Sequence, residues 1–207
     1  MANNGATVND QALLSGNLFN SGGSQGINKT GEGVLVLTGT NTYTGSTTID
    51  NGELSANDGV GLPSASTLRF RGGMLLSQGS FSRNVGSSNG QVNWGDTTDN
   101  GDGGFAARGG SLDITLNGGA SVIWGLNGFV PTGRDLLFGF ESADDTVTFH
   151  NDMDIGGFLR TVRVFDNSLS STDRAVMTGV ISGTGGLTVS YTHLRAHETD
   201  SYLVCRL

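Results

Sequence analysis

The chain has 207 residues and a formal net charge of -8, with 11 Lys and Arg against 19 Asp and Glu, a balance that opposes binding to nucleic acid phosphates. Its single cysteine, Cys205, excludes an intramolecular disulfide framework, and no apolar run is long enough to span a bilayer as a helix. With 35 glycines, 2 prolines and no three-residue period, the chain turns every few residues, so composition places it in the all-β class.

Residues 1–26 alternate short apolar groups (Leu13, Leu14, Leu18, Phe19) with Asn, Ser and Gly, and read as an incomplete coil. The first five residues carry neither the basic start nor the apolar core of a signal peptide, so an exported parent is expected to have lost its leader from this fragment. From 27 to 54 the pattern is complete. Val34, Leu35, Val36 and Leu37 form one apolar run, residues 47–49 a second, and Glu53 with Leu54 a third, separated by Gly, Asn and Thr turn chemistry. One such coil cannot bury its own apolar face, so the pattern requires further coils above and below it.

The spelling Lys29-Thr30-Gly31-Glu32-Gly33, Val34-Leu35-Val36-Leu37-Thr38-Gly39, Asn41-Thr42-Tyr43-Thr44-Gly45, Thr47-Thr48-Ile49 and Gly52-Glu53-Leu54 resembles the autotransporter-associated beta-strand repeat, or passenger-associated transport repeat. The resemblance covers residues 27–54. It implies a right-handed parallel β-helix from a secreted or surface-displayed bacterial passenger, associated with the outer membrane, whose translocator lies outside this fragment. Residues 178–189 resemble the opening of a second, truncated copy.

Between the copies, residues 66–70, 74–76, 81–85 and 91–94 read as strands, followed by the longest polar loop, 95–104. Residues 112–116 alternate apolar and polar groups, as a strand with one wet face does. Residues 121–124, 135–140, 146–149, 161–165, 176–181 and 186–189 continue the rhythm, with an acidic corner at 141–145. At 190 the character changes: residues 190–207 hold no glycine but two of the three histidines and the only cysteine. That run resembles a translated sequencing adapter and reads as a non-native or disordered tail. The body is therefore 1–189, expected to form about eight coils of roughly 20 to 25 residues and a rod on the order of 40 Å.

Several residues carry side chains suited to a site. Asp96, Asp99 and Asp102, with Asn100 and Gly101, offer oxygens on a flexible loop, but their spacing fits neither an EF-hand nor a nonapeptide calcium repeat. Glu141, Asp144 and Asp145, and Asp152 with Asp154, read as hydrated turns on the same grounds. His150 reads as a strand-end residue. His193 and His197 have the spacing of two zinc ligands on a helix, yet Leu194 stands where a protease needs glutamate, and Cys205 has no partner. Tyr43, Trp94, Phe105 and Trp124 are expected inside the stack rather than as a glycan platform. Asn41, Asn51, Asn89 and Asn117 are expected at turns, where stacked amides form ladders.

The expected function is structural: a stalk and adhesive scaffold that assists secretion. It is non-catalytic, with no cofactor, no metal and no catalytic residues. Its partners are surface glycans, host or neighbouring-cell proteins, and further coils of the parent, with no nucleic acid and no membrane span. The alternative is a polysaccharide-binding or polysaccharide-cleaving module, for which a groove with converging carboxylates would count.

Overall fold

A computed structural model describes residues 10–95 and 100–191. They form a parallel β-helix. One face is a ladder of strands from successive coils: β1 (Gln11–Leu14), β3 (Val34–Leu37), β5 (Glu53–Ser55), β7 (Met74–Arg83), β9 (Gly103–Leu116), β11 (Leu136–Phe138), β14 (Arg160–Val164) and β17 (Leu187–Tyr191). A second face joins the far halves of β7 and β9 to β12 (Thr146–Phe149) and β15 (Arg174–Met177). Two short sheets form the remaining side: β2 (Ile27–Lys29), β4 (Thr47–Ile49), β6 (Leu68–Phe70) and β8 (Val92–Asn93), then β10 (Val122–Ile123), β13 (Met153–Asp154) and β16 (Ile181–Ser182).

Register is continuous along the first face. Ala12 pairs with Leu35, Leu35 with Leu54, Leu54 with Leu75, Leu75 with Phe105, Phe105 with Phe138, Phe138 with Val164 and Val164 with Tyr191. The middle of this column is fully buried, because every coil between the ends has a neighbour on both sides. Rings continue the core along the axis. Phe70 and Trp94 lie 5.0 Å apart, as do Trp94 and Phe129, and Phe149 joins Phe129 at 6.2 Å and Phe138 at 6.1 Å. Each buried ring removes 150 to 250 Å² or so from water, which makes this stack the main source of cohesion.

Some strands join where the sequence separates them. Residues 74–76 and 81–83 belong to the single strand β7, and 112–116 is the end of β9, which starts at Gly103 inside the expected loop. The reason is that glycine bends these strands instead of ending them. The register shifts between Ser77 and Gly79, and Gly79 and Gly109 take φ of 76° and 82°, turning both strands around one corner of the coil. The last strand runs through Ser190 and Tyr191, paired with Arg163 and Val164, two residues past the expected change of character.

In the next coil that corner is interrupted. Between β11 and β12, residues 139–145 leave the coil and fold across the outer side of the first face. Ala143 and Phe140 pack there on Met74, Leu76, Ala106 and Leu137, forming a second, smaller apolar cluster.

Candidate functional site

Two groups of side chains stand out, one closing the corners of the first coils and one lining a cleft. At the corner after β2, Lys29 is 7% exposed, and its Nζ donates to the carbonyls of Gly31 at 2.6 Å, Asn51 at 3.0 Å and Thr30 at 3.3 Å. One ammonium thus ties the turns of two successive coils. Burial pulls its pKa below the usual lysine value, while Glu53 pulls it up. Gly52 must be glycine at this junction: its φ is 63°, and a Cβ would stand 2.6 Å from the Gly31 carbonyl oxygen and 2.7 Å from Nζ.

On the opposite side of the same coil, Asn41 accepts from the Leu18 amide at 2.8 Å and donates to the Gly61 carbonyl at 2.8 Å, linking coils on both sides. The buried Tyr43 hydroxyl meets Thr47 at 2.7 Å, Thr47 meets Ser66 at 2.8 Å, and Ser66 donates to the Gly45 carbonyl at 2.7 Å. These buried polar groups are therefore partnered, as burial demands.

The second group lines a cleft of about 660 Å³ on the outer side of the first face, running across successive coils. Asp10 and Glu32 stand at one end, Glu53 and Arg71 follow, then Asp102 and Arg134, with Arg163 at the other end. Residues 139–145 supply one wall through Phe140, Glu141 and Ser142. Glu53 is buried and accepts from the Ser142 hydroxyl. Burial pushes its carboxyl up to about 7 and Glu141 adds to the rise, against the Ser142 hydrogen bond, Arg108 and Lys29. Arg71 pairs with Asp50 at 3.2 Å, Arg163 pairs with Asp135, and Arg134 donates to the Asn100 side chain at 2.7 Å.

Asp96, Asp99, His193, His197 and Cys205 lie outside the described residues. Asp102 accepts from the Asp135 amide at 3.0 Å, Asp144 from Gly109 at 2.7 Å, Asp145 from Thr146 at 2.6 Å, Asp152 from Val180 at 2.7 Å and Asp154 from Gly156 at 2.8 Å. These carboxylates cap turns and link coils. Among the described residues, no group of three or more His, Cys, Asp and Glu is placed to hold a metal ion.

Tyr43, Trp94, Phe105 and Trp124 are buried in the core and present no platform. His150 ends β12 at the surface, its Nε2 2.7 Å from Asp113 and its Nδ1 3.2 Å from the Thr178 hydroxyl. The expected amide ladders take another form: Asn41 and Asn117 bond to backbone of neighbouring coils, Asn51 caps its own turn through the Gly52 amide, and Asn89 is exposed. Asn151, not singled out from sequence, does the same work as Asn41, with bonds to Leu116 N at 2.7 Å and to the Leu116 and Ala120 carbonyls at 2.6 and 2.7 Å.

The motif that builds the first corner has a known counterpart. Residues 27–56 match the passenger-associated-transport-repeat family model. The matched stretch is an autotransporter passenger repeat, and it contains Lys29, Asn41, Tyr43, Gly52 and Glu53. No curated protein and no solved structure matches the chain. No helix among the described residues is long and apolar enough to cross a membrane.

The cleft is not legible in the sequence because its residues are far apart in the chain. Ser142 and Glu53 are separated by 89 positions. The arginines, scattered along the sequence, converge because Arg71 and Arg134 stand at the same corner of different coils and Arg163 is carried by β14. Only the coil register, which uneven coil lengths conceal, would have brought them together.

Proposed function

We propose that this chain is a spacer segment of a secreted or surface-displayed passenger, a non-catalytic rod that holds other domains away from the cell and offers its flank for adhesion. The observation that carries the reading is the continuous parallel ladder of strands from β1 to β17, with a stretch matching the passenger repeat near its start. A stack of this kind extends by about 4.8 Å per coil and resists bending, since each coil is bonded along its length to the next. Folding that propagates coil by coil outside the cell would also draw the following chain outward, which is the basis for a role in secretion.

The test places the chain between a surface reporter and an export barrel, in one, two or three copies. Reporter height, measured by high-resolution localisation, should rise by roughly 40 Å per copy, and surface arrival should slow when residues 27–56 are deleted. Unchanged height with added copies would sink the spacer role, and unchanged arrival on deletion would sink the role in secretion.

A further inference from the structure

The main core lies on the other side of the sheet from the cleft, which shares Met74, Leu137, Phe140 and Phe165 with the smaller outer cluster. The floor of the cleft is low because glycine lines it. At Gly101, for instance, a Cβ would stand 2.1 Å from the Arg71 carbonyl carbon, so the coils approach each other there with no side chain between. The trough runs along the axis, and equivalent corners recur about every 4.8 Å, a spacing comparable to the advance of one ring in an extended sugar chain.

Charge decides among linear occupants. Asp10 and Glu32 make one end acidic, while Arg134 and Arg163 make the other basic. A polyanion would meet repulsion at the first end and a polycation at the second. Two of the guanidiniums, Arg71 and Arg163, are already matched by Asp50 and Asp135, which further lowers the attraction for anions. The rest of the lining is a row of planar donors and acceptors that already bond within the protein: Asn51 accepts from the Gly52 amide, Asn100 from Arg134 and Asp102 from the Asp135 amide, with the exposed Glu141 carboxylate across from them. Beside them the paired rings of Phe140 and Phe165, 5.6 Å apart, give an apolar surface. Hydroxyl groups on both edges of a sugar ring and its C–H face suit such a lining.

We propose that this cleft binds an extended, uncharged glycan lying along the helix axis, with Arg134 and Glu141 bonding its hydroxyls and Glu53 at the floor. The proposal rests on the adhesive part of the reading above and names its ligand class. Glu53 closes the floor: it is buried, accepts from the Ser142 hydroxyl and stands between Gly52 and the Ser142 wall of the cleft.

The test uses the full chain and titrates it by thermophoresis with cellohexaose, xylohexaose and maltohexaose, their disaccharides, hexagalacturonate, a heparin hexasaccharide and hexalysine. At least one uncharged hexasaccharide should bind saturably, and its disaccharide about tenfold more weakly, because several coils contribute. Arg134→Ala and Glu141→Ala, both at exposed positions, should each weaken binding about tenfold with Tm unchanged. Leu169→Ser, exposed and away from the cleft, serves as the control.

No binding by any uncharged hexasaccharide overturns the proposal. So does a preference for hexagalacturonate, heparin or hexalysine, equal binding of the disaccharide, or indifference to both cleft substitutions. The reporter-height measurement does not depend on these side chains, so the spacer reading and this one can fail separately.

Discussion

The coil at residues 27–56 and the coils from Gly103 onward reach the same stack by different means. In the first, polar side chains at the corners hold the coils together: Lys29 on three carbonyls, Asn41 between Leu18 and Gly61, and the Tyr43–Thr47–Ser66 relay. In the later coils Asn151 still ties its neighbours, but the long strand β9 and a chain of rings that leads from Trp94, just before it, through Phe129 and Phe149 to Phe138 carry more of the stack, and residues 139–145 cover the outer face. The contrast teaches that the repeat motif spells corner chemistry and not the fold as such. A β-helix needs stacked apolar columns, and several sequences supply those.

The largest effect should come from breaking the ring chain. Trp94→Ala removes a fully buried side chain that touches Phe70, Phe105 and Phe129, and should lower stability by about 3 to 5 kcal/mol, read from chemical unfolding. A loss under 1 kcal/mol would mean that the rings are not what joins the early and late coils.

The next effect is a dependence on pH. Glu53 titrates near 7 in the fold and near its ordinary 4.5 when unfolded, so between those values the native state holds a proton that the unfolded state has lost. Its contribution is therefore fully present below about pH 4.5 and declines as pH rises through 7, by at most about 3 kcal/mol. Glu53→Gln should flatten that part of the profile. If the wild type and Glu53→Gln give parallel stability curves from pH 4.5 to 8, the carboxyl is not buried as described.

Lys29→Ala sharpens the comparison directly, since it strips the corner and leaves three carbonyls short of a donor. A loss of about 1 to 3 kcal/mol is expected, with amide exchange rising first in β2 to β5 and the late coils unaffected. Uniform loss of protection would show that the stack unfolds as one unit. The smallest effect belongs to the surface pair His150 and Asp113, both well exposed: Asp113→Ala should change stability by less than about 0.5 kcal/mol in thermal unfolding.

The sequence by itself determined the class, the coil repeat and the buried aromatics. Glycine-rich turns, short apolar runs and the absence of helical periodicity are local properties, and a coil that cannot bury its own face implies neighbours wherever it occurs. Residues 27–54 could be read strand by strand for that reason: β3 and β4 coincide with the first two apolar runs, and β5 extends the third by one residue.

What only the tertiary structure decided is which corners lie above one another. Coil length varies along the chain, so Arg71, Arg134 and Arg163 share a cleft although nothing in their spacing says so. Gly79 and Gly109 look like strand ends in the sequence and are bends, because φ at a glycine is set by the sheet on either side of it. In the sequence Glu53 only opens the third run of the repeat; its burial comes from residues 139–145, which bring Ser142 onto it and are placed by long-range packing against Met74 and Leu76.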